Sequence, residues 1–181
     1  MAEWCKRCNV AIWAYCLMPN HTHMIAVPAS EEGLRRAIGE AHRRYTRRVN
    51  FREGGKGHLW QGRFASFPMD ERYLLPAARY VELNPVRAKL SAKHEGYVWS
   101  SAAAHLRGID DRLVKVGPLS EMVNDWESFL SGGIKEHEAA ALRRSERTGR
   151  PMRSEGFMDN LEKTLGRILR PRKAGRKKSG K

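Results

Sequence analysis

No apolar run in the chain approaches the roughly 20 residues a membrane-crossing helix needs. The longest, residues 10–18, is of strand length. No leader or lipidation pattern is visible, so the expectation is a cytoplasmic protein with no membrane partner. Cysteine is scarce and odd in number, with three residues at Cys5, Cys8 and Cys16, which excludes a paired disulfide framework and suggests reduced thiols. Cys5, Cys8 and His21 open like a two-Cys, two-His zinc finger. The closing pair of such a finger should stand three to five residues apart on a helix, whereas one residue separates His21 from His23, and this spacing argues against it. Acidic residues are also scarce: 20 Asp and Glu face 34 Lys and Arg, a net charge of +14. The excess is uneven. Residues 142–181 hold 14 basic and 4 acidic residues, hence +10, leaving +4 for the rest. A basic tail on a mildly basic body suggests a polyanionic partner, nucleic acid first.

The 181 residues suffice for one catalytic domain and a short appendage. The most informative pattern is Asn20-His21-Thr22-His23, entering the apolar stretch Met24-Ile25-Ala26-Val27. On a helix, side chains two apart point about 200° from each other; on a strand they share a face. Met18-Pro19-Asn20 is a turn signal, and 10–18 is a strand candidate, so the histidines are expected on the second strand of a hairpin. Two imidazoles on one strand face are two ready metal ligands. Paired surface histidines also arise without a ligand. A second constellation, Arg79-Tyr80-Val81-Glu82-Leu83-Asn84-Pro85-Val86-Arg87, places Tyr80 and Asn84 four apart, on one face of a helix that Pro85 ends or kinks.

These segments, together with residues 14–23, the block Gly57-His58-Leu59-Trp60-Gln61-Gly62-Arg63-Phe64 and the triplet Trp99-Ser100-Ser101, resemble the single-tyrosine HUH transposases. More narrowly they resemble the REP-associated tyrosine transposases, which act on short palindromic hairpins. The resemblance implies that His21, His23 and Asn84 hold a divalent cation, Mg²⁺ or Mn²⁺, and that Tyr80 is the nucleophile. It implies cleavage and rejoining of single-stranded or hairpin DNA through a 5′-phosphotyrosine intermediate, by a protein more often monomeric than dimeric and with no small-molecule substrate. It also implies an α+β fold of ferredoxin-like type, an antiparallel sheet with helices on one face. Set against the family, the sequence starts near the end of the first helix, so the family's opening strand is expected to lie outside it.

The remaining chain reads as a HUH-type domain over 1–108, a helical extension over 109–170 and a disordered basic tail over 171–181. A helix over 31–49, capped by Ser30, buries Leu34, Ile38, Ala41, Tyr45 and Val49 and exposes Arg35, Arg43, Arg44 and Arg47 as phosphate contacts. Arg63, Arg87 and the tail residues Arg172, Lys173, Arg176 and Lys177 are further DNA candidates. An extended piece over 58–67, a short helix broken at Pro76 before the Tyr80 helix, and helices over 120–130, 134–147 and 154–165 complete the reading. Trp60 is expected in the core, with base stacking as its alternative. Two other functions fit the same letters: a non-catalytic reader of DNA hairpins, and a nuclease that activates water with no covalent step.

Overall fold

A computed structural model describes residues 1–152 and 154–170. Helix α1 (Ala2–Arg7) leads into strand β1 (Val10–Leu17), which turns through Pro19 and Asn20 into the antiparallel strand β2 (Thr22–Pro28). The turn is closed by the Met18 N–H donating to the His21 carbonyl at 2.8 Å. Among the described residues the sheet has these two strands. Helix α2 (Gly33–Glu53) follows, then a long irregular segment, a 3-10 turn over Glu71–Tyr73, helix α3 (Leu74–Glu82) and the short α4 (Asn84–Arg87). The remainder is helical: α5 (Ala102–Arg107), α6 (Gly117–Ser120), α7 (Trp126–Ser131), α8 (Glu136–Thr148) and α9 (Glu155–Leu165). The fold is α+β, as expected.

One extra residue in β1 decides how the hairpin is covered. Ile12 faces Ala26 across the ladder and Ala14 faces Ile25, which leaves Trp13 as a bulge. A bulge shifts the alternation of side chains by one. Val10 and Ile12 therefore pack with Cys5 and Ala37 under α1 and α2. Ala14 and Cys16 pack with Ala77, Ala78 and Val81 of α3. The helices thus lie against both faces of the hairpin, where the sequence reading had them on one. The second core continues through Leu119, Trp126, Leu130, Ala139, Leu142 and Met152, so α6, α7 and α8 share it.

The outer edge of β1 is not left open. Leu17 N–H donates to the Trp99 carbonyl, Ser101 N–H to that of Tyr15, and Lys115 N–H to that of Ile12, at 2.8 to 3.0 Å. Irregular chain thus satisfies backbone groups that a third strand would otherwise take.

Several boundaries differ from the sequence reading. α2 starts at Gly33, whose N–H bonds the Ser30 carbonyl rather than its side chain, and runs to Glu53, where Gly54 takes a left-handed φ of 63°. Pro76 does not break a helix. It sits in the first turn of α3, where no backbone N–H is needed, and the preceding turn is capped by Asp70. The Tyr80 helix does end ahead of Pro85: α3 stops at Glu82, and Pro85 occupies the first turn of the separate α4. The helix expected over 120–130 is shortened to α7, with α6 already ended at Ser120. Trp60 stacks on His42 of α2, centroids 3.9 Å apart, outside both cores. Ser154 caps α9 as expected, accepting from the Phe157 N–H at 3.3 Å.

Candidate functional site

His23 and Ile25 share a face of β2, and Ile25 belongs to the core under α3. His23 is thereby aimed at α3, where its ring meets that of Tyr80 in a T-shaped contact, centroids 5.8 Å apart. His21 lies one residue before β2 at the closing pair of the hairpin, and its ring stands 4.8 Å from that of His23, also T-shaped. The fold therefore brings the two histidines and the tyrosine together. Asn84, the first residue of α4, stands one helical turn beyond Tyr80 and is half-buried.

The two imidazoles are engaged in the same way. Nδ1 of His21 pairs with Oδ1 of Asn20 at 2.6 Å, and Nδ1 of His23 with Oε1 of Glu146 at 3.1 Å. Among the described residues neither Nε2 has a hydrogen-bond partner. His21 is exposed as a residue, yet its ring abuts that of His23. Partial desolvation, together with the second imidazole, lowers its pKa from the ordinary value, which favours the neutral, ligand-competent form. No three His, Cys, Asp or Glu side chains among the described residues converge as a ready cation cage. A site here thus rests on two imidazole nitrogens and a neutral oxygen donor such as the Asn84 carboxamide.

Tyr80 is 6% exposed. Its hydroxyl makes no hydrogen bond to a described residue, and it is absent from the buried polar atoms lacking a partner (Trp4 Nε1, Arg79 Nε and His105 Nε2), so solvent reaches it. The Arg87 guanidinium lies over its ring at 4.5 Å. A cation there offers a contact for a phosphate.

Two residues the sequence reading passed over fix the Tyr80 helix. Glu82 is fully buried and accepts from Ser101 Oγ at 2.5 Å and Trp126 Nε1 at 2.8 Å, while pairing with His105 Nδ1 at 2.6 Å. Arg79 reaches the Gly133 carbonyl at 2.9 Å and stacks on Phe129 at 4.2 Å. Glu82 gave a signal in the letters: it falls on the apolar stripe of Leu74, Ala78 and Val81, where an unpaired charge would be costly.

The arginines divide into two groups. Arg35 is held by Glu32 (Nε–Oε2 2.6 Å), Arg43 by Glu40 (2.6 Å) and Arg44 by Glu3 (3.5 Å), all at the surface, where such pairs are weak and exchangeable. Arg47 and Arg48 have no ion-pair partner among the described residues and line a shallow groove with Arg43, Arg44 and Phe51. Phe51 is 91% exposed. Arg63 is exposed on the irregular segment after α2. Arg172, Lys173, Arg176 and Lys177 lie outside the described residues. Among those described, no helix is long and apolar enough to cross a membrane.

Residues 1–84 match the family described as transposase IS200 like. The match ends on Asn84 and contains His21, His23 and Tyr80. It covers less than half of the chain and leaves the helices from α5 onward outside it. No curated protein matches the chain, and no solved structure does.

Proposed function

We propose that the protein cuts and rejoins single-stranded or hairpin DNA, with Tyr80 as nucleophile and with Mg²⁺ or Mn²⁺ held by His21, His23 and Asn84. The observation that carries this reading is the contact of the Tyr80 ring with His23, beside a second imidazole, at a site where both Nε2 atoms lack a partner. The donor set fits a divalent ion: two neutral imidazoles and a carboxamide oxygen bring no negative charge, and the imidazoles favour Mn²⁺. Such an ion would polarise the scissile phosphate and so lower the barrier to its attack.

The protein's own groups do the rest. The Tyr80 hydroxyl gives its proton to solvent, and its oxygen bonds to phosphorus as the bond to the 3′ oxygen breaks. That oxygen leaves as a 3′ hydroxyl and the 5′ phosphate stays on Tyr80. Attack by a 3′ hydroxyl on the phosphotyrosine reverses the bond exchange, so rejoining needs no external energy source. Arg87, stacked on the Tyr80 ring, is placed to neutralise a phosphate oxygen. The α2 groove of Arg43, Arg44, Arg47 and Arg48 supplies backbone contacts, with Phe51 available for a base to stack on. A close relation to the REP-associated branch, and a palindromic hairpin as target, belong to this proposal. The reading is tested by incubating the protein with a labelled hairpin oligonucleotide and Mn²⁺. A covalent adduct mapped to Tyr80 is expected. Retarded DNA without an adduct points to a non-catalytic binder, and cutting retained in Tyr80→Phe points to a water-using nuclease.

A further inference from the structure

The family match stops at residue 84, yet the partner of His23 comes from α8. Glu146 stands in the last turn of that helix, before Gly149 ends it. An acid is poorly placed there, because the carbonyl end of a helix is the negative end of its dipole. Arg143, Arg144 and Arg147 surround it in sequence. Even so, no Lys or Arg among the described residues takes its carboxylate, which goes to the His23 imidazole instead. The pair is substantially shielded, with side chains 17% and 32% exposed.

The position of Glu146 is fixed from both sides. Upstream, Ala139 and Leu142 of α8 are buried in the core shared with α3. Downstream, Met152 N–H donates to the Pro68 carbonyl at 3.0 Å and its own carbonyl accepts from Asp70 N–H at 2.8 Å. These bonds clamp the chain after α8 to the turn that starts the Tyr80 helix.

We propose that Glu146 is a positioning residue: its carboxylate accepts the Nδ1 proton of His23 and so holds the imidazole in the tautomer whose Nε2 bears the lone pair. Asn20 Oδ1 does the same for His21, so both rings present Nε2 together. A histidine ligand is oriented in this way when a carboxylate takes its other N–H, and losing that support typically costs 10- to 100-fold in metal affinity. The inference rests on the reading that His21 and His23 hold a cation. It adds that the site is completed by a helix beyond the matched residues, which makes the C-terminal segment part of the catalytic unit.

The test begins on the metal-free full chain. Long-range ¹H–¹⁵N correlation spectra should show His23 protonated at Nδ1 in the wild type. Glu146→Ala should shift it toward the Nε2-protonated form. Glu146→Gln should leave it as in the wild type, because a carboxamide oxygen also accepts. Mn²⁺ titration followed by electron paramagnetic resonance should then show affinity about 10- to 100-fold weaker for Glu146→Ala and within a few-fold for Glu146→Gln. A His23 tautomer unchanged by Glu146→Ala overturns the proposal, and so does a Gln variant that behaves like Ala in both readouts. A tautomer shift in a protein that never binds Mn²⁺ supports the positioning role while removing the metal reading, so the two failures are distinguishable.

Discussion

The rings of His23 and Tyr80 meet at nearly a right angle, 85° between planes, joining the turn end of the hairpin to the last turn of α3. Neither element could hold this geometry alone. A two-stranded hairpin is marginal in water, and a nine-residue helix is short of independent stability. The pair is held because both elements are bolted to the helices that follow. Ser101 ties β1 to Glu82, Arg79 ties α3 to Gly133, and Glu146 ties His23 to α8.

Replacing either histidine should separate chemistry from folding. His21→Ala and His23→Ala are expected to retain the wild-type melting temperature within a few degrees and to slow Mn²⁺-dependent cleavage by about 10²-fold or more. Single-turnover cleavage of an oligonucleotide beside a thermal melt checks both. Unchanged cleavage in either variant would remove that residue from the site.

The Glu82 cluster should behave as a single unit. Glu82→Ala strips a partner from Ser101 Oγ, His105 Nδ1 and Trp126 Nε1 at once, and each buried polar group left unmet costs about 1–3 kcal/mol, so the variant should be strongly destabilised or unfolded. Trp126→Phe leaves Glu82 Oε2 without its donor and should cost about 1–3 kcal/mol. Urea denaturation measures both, and a Glu82→Ala loss under about 1 kcal/mol would contradict the assigned role.

Much of the site was legible because it is local. The Pro19-Asn20 turn, the strand-length run before it and the single-residue spacing of the histidines put both imidazoles together with no long-range information. Tyr80 and Asn84 read as a pair on one helix, whereas α3 ends at Glu82 and Asn84 opens α4. The meeting of Tyr80 with His23 depends on the Trp13 bulge, which sends Ala14 and Cys16 to the α3 side, and nothing in the letters marks that residue as extra. Glu146 was illegible for another reason: in an arginine-rich stretch an acid reads as a surface partner for its neighbours, and only packing of Leu142 turns it toward His23. Trp60 was misread because its indole found a flat neighbour, His42, on the outside of α2.

Cysteine chemistry gives an independent check on packing. Burial and the negative charge of Glu82 push the Cys16 thiol up to about 12 from its ordinary 9.0. The thiolate fraction at pH 8 should then fall by about a thousandfold. Cys8, which is partly exposed, should label with iodoacetamide long before Cys16 in native protein, and urea should equalise them. Mass spectrometry of the labelled peptides decides it, and fast native labelling of Cys16 would contradict the packing.

The α2 groove should bind DNA chiefly through phosphates. Arg47→Glu combined with Arg48→Glu is expected to weaken oligonucleotide binding at 0.1 M salt. It should also lower the slope of log affinity against log salt by about 1.4–1.8, from two lost contacts. Fluorescence anisotropy across a salt series measures this, and an unchanged slope would place the DNA elsewhere.

The most direct test of the account is a covalent one. Wild-type protein incubated with a hairpin oligonucleotide and Mn²⁺, then denatured and digested, should yield a peptide carrying a 5′-phosphonucleotide on Tyr80, and Tyr80→Phe should yield none. An adduct on another residue, or strand cleavage that proceeds equally well in Tyr80→Phe, would contradict it.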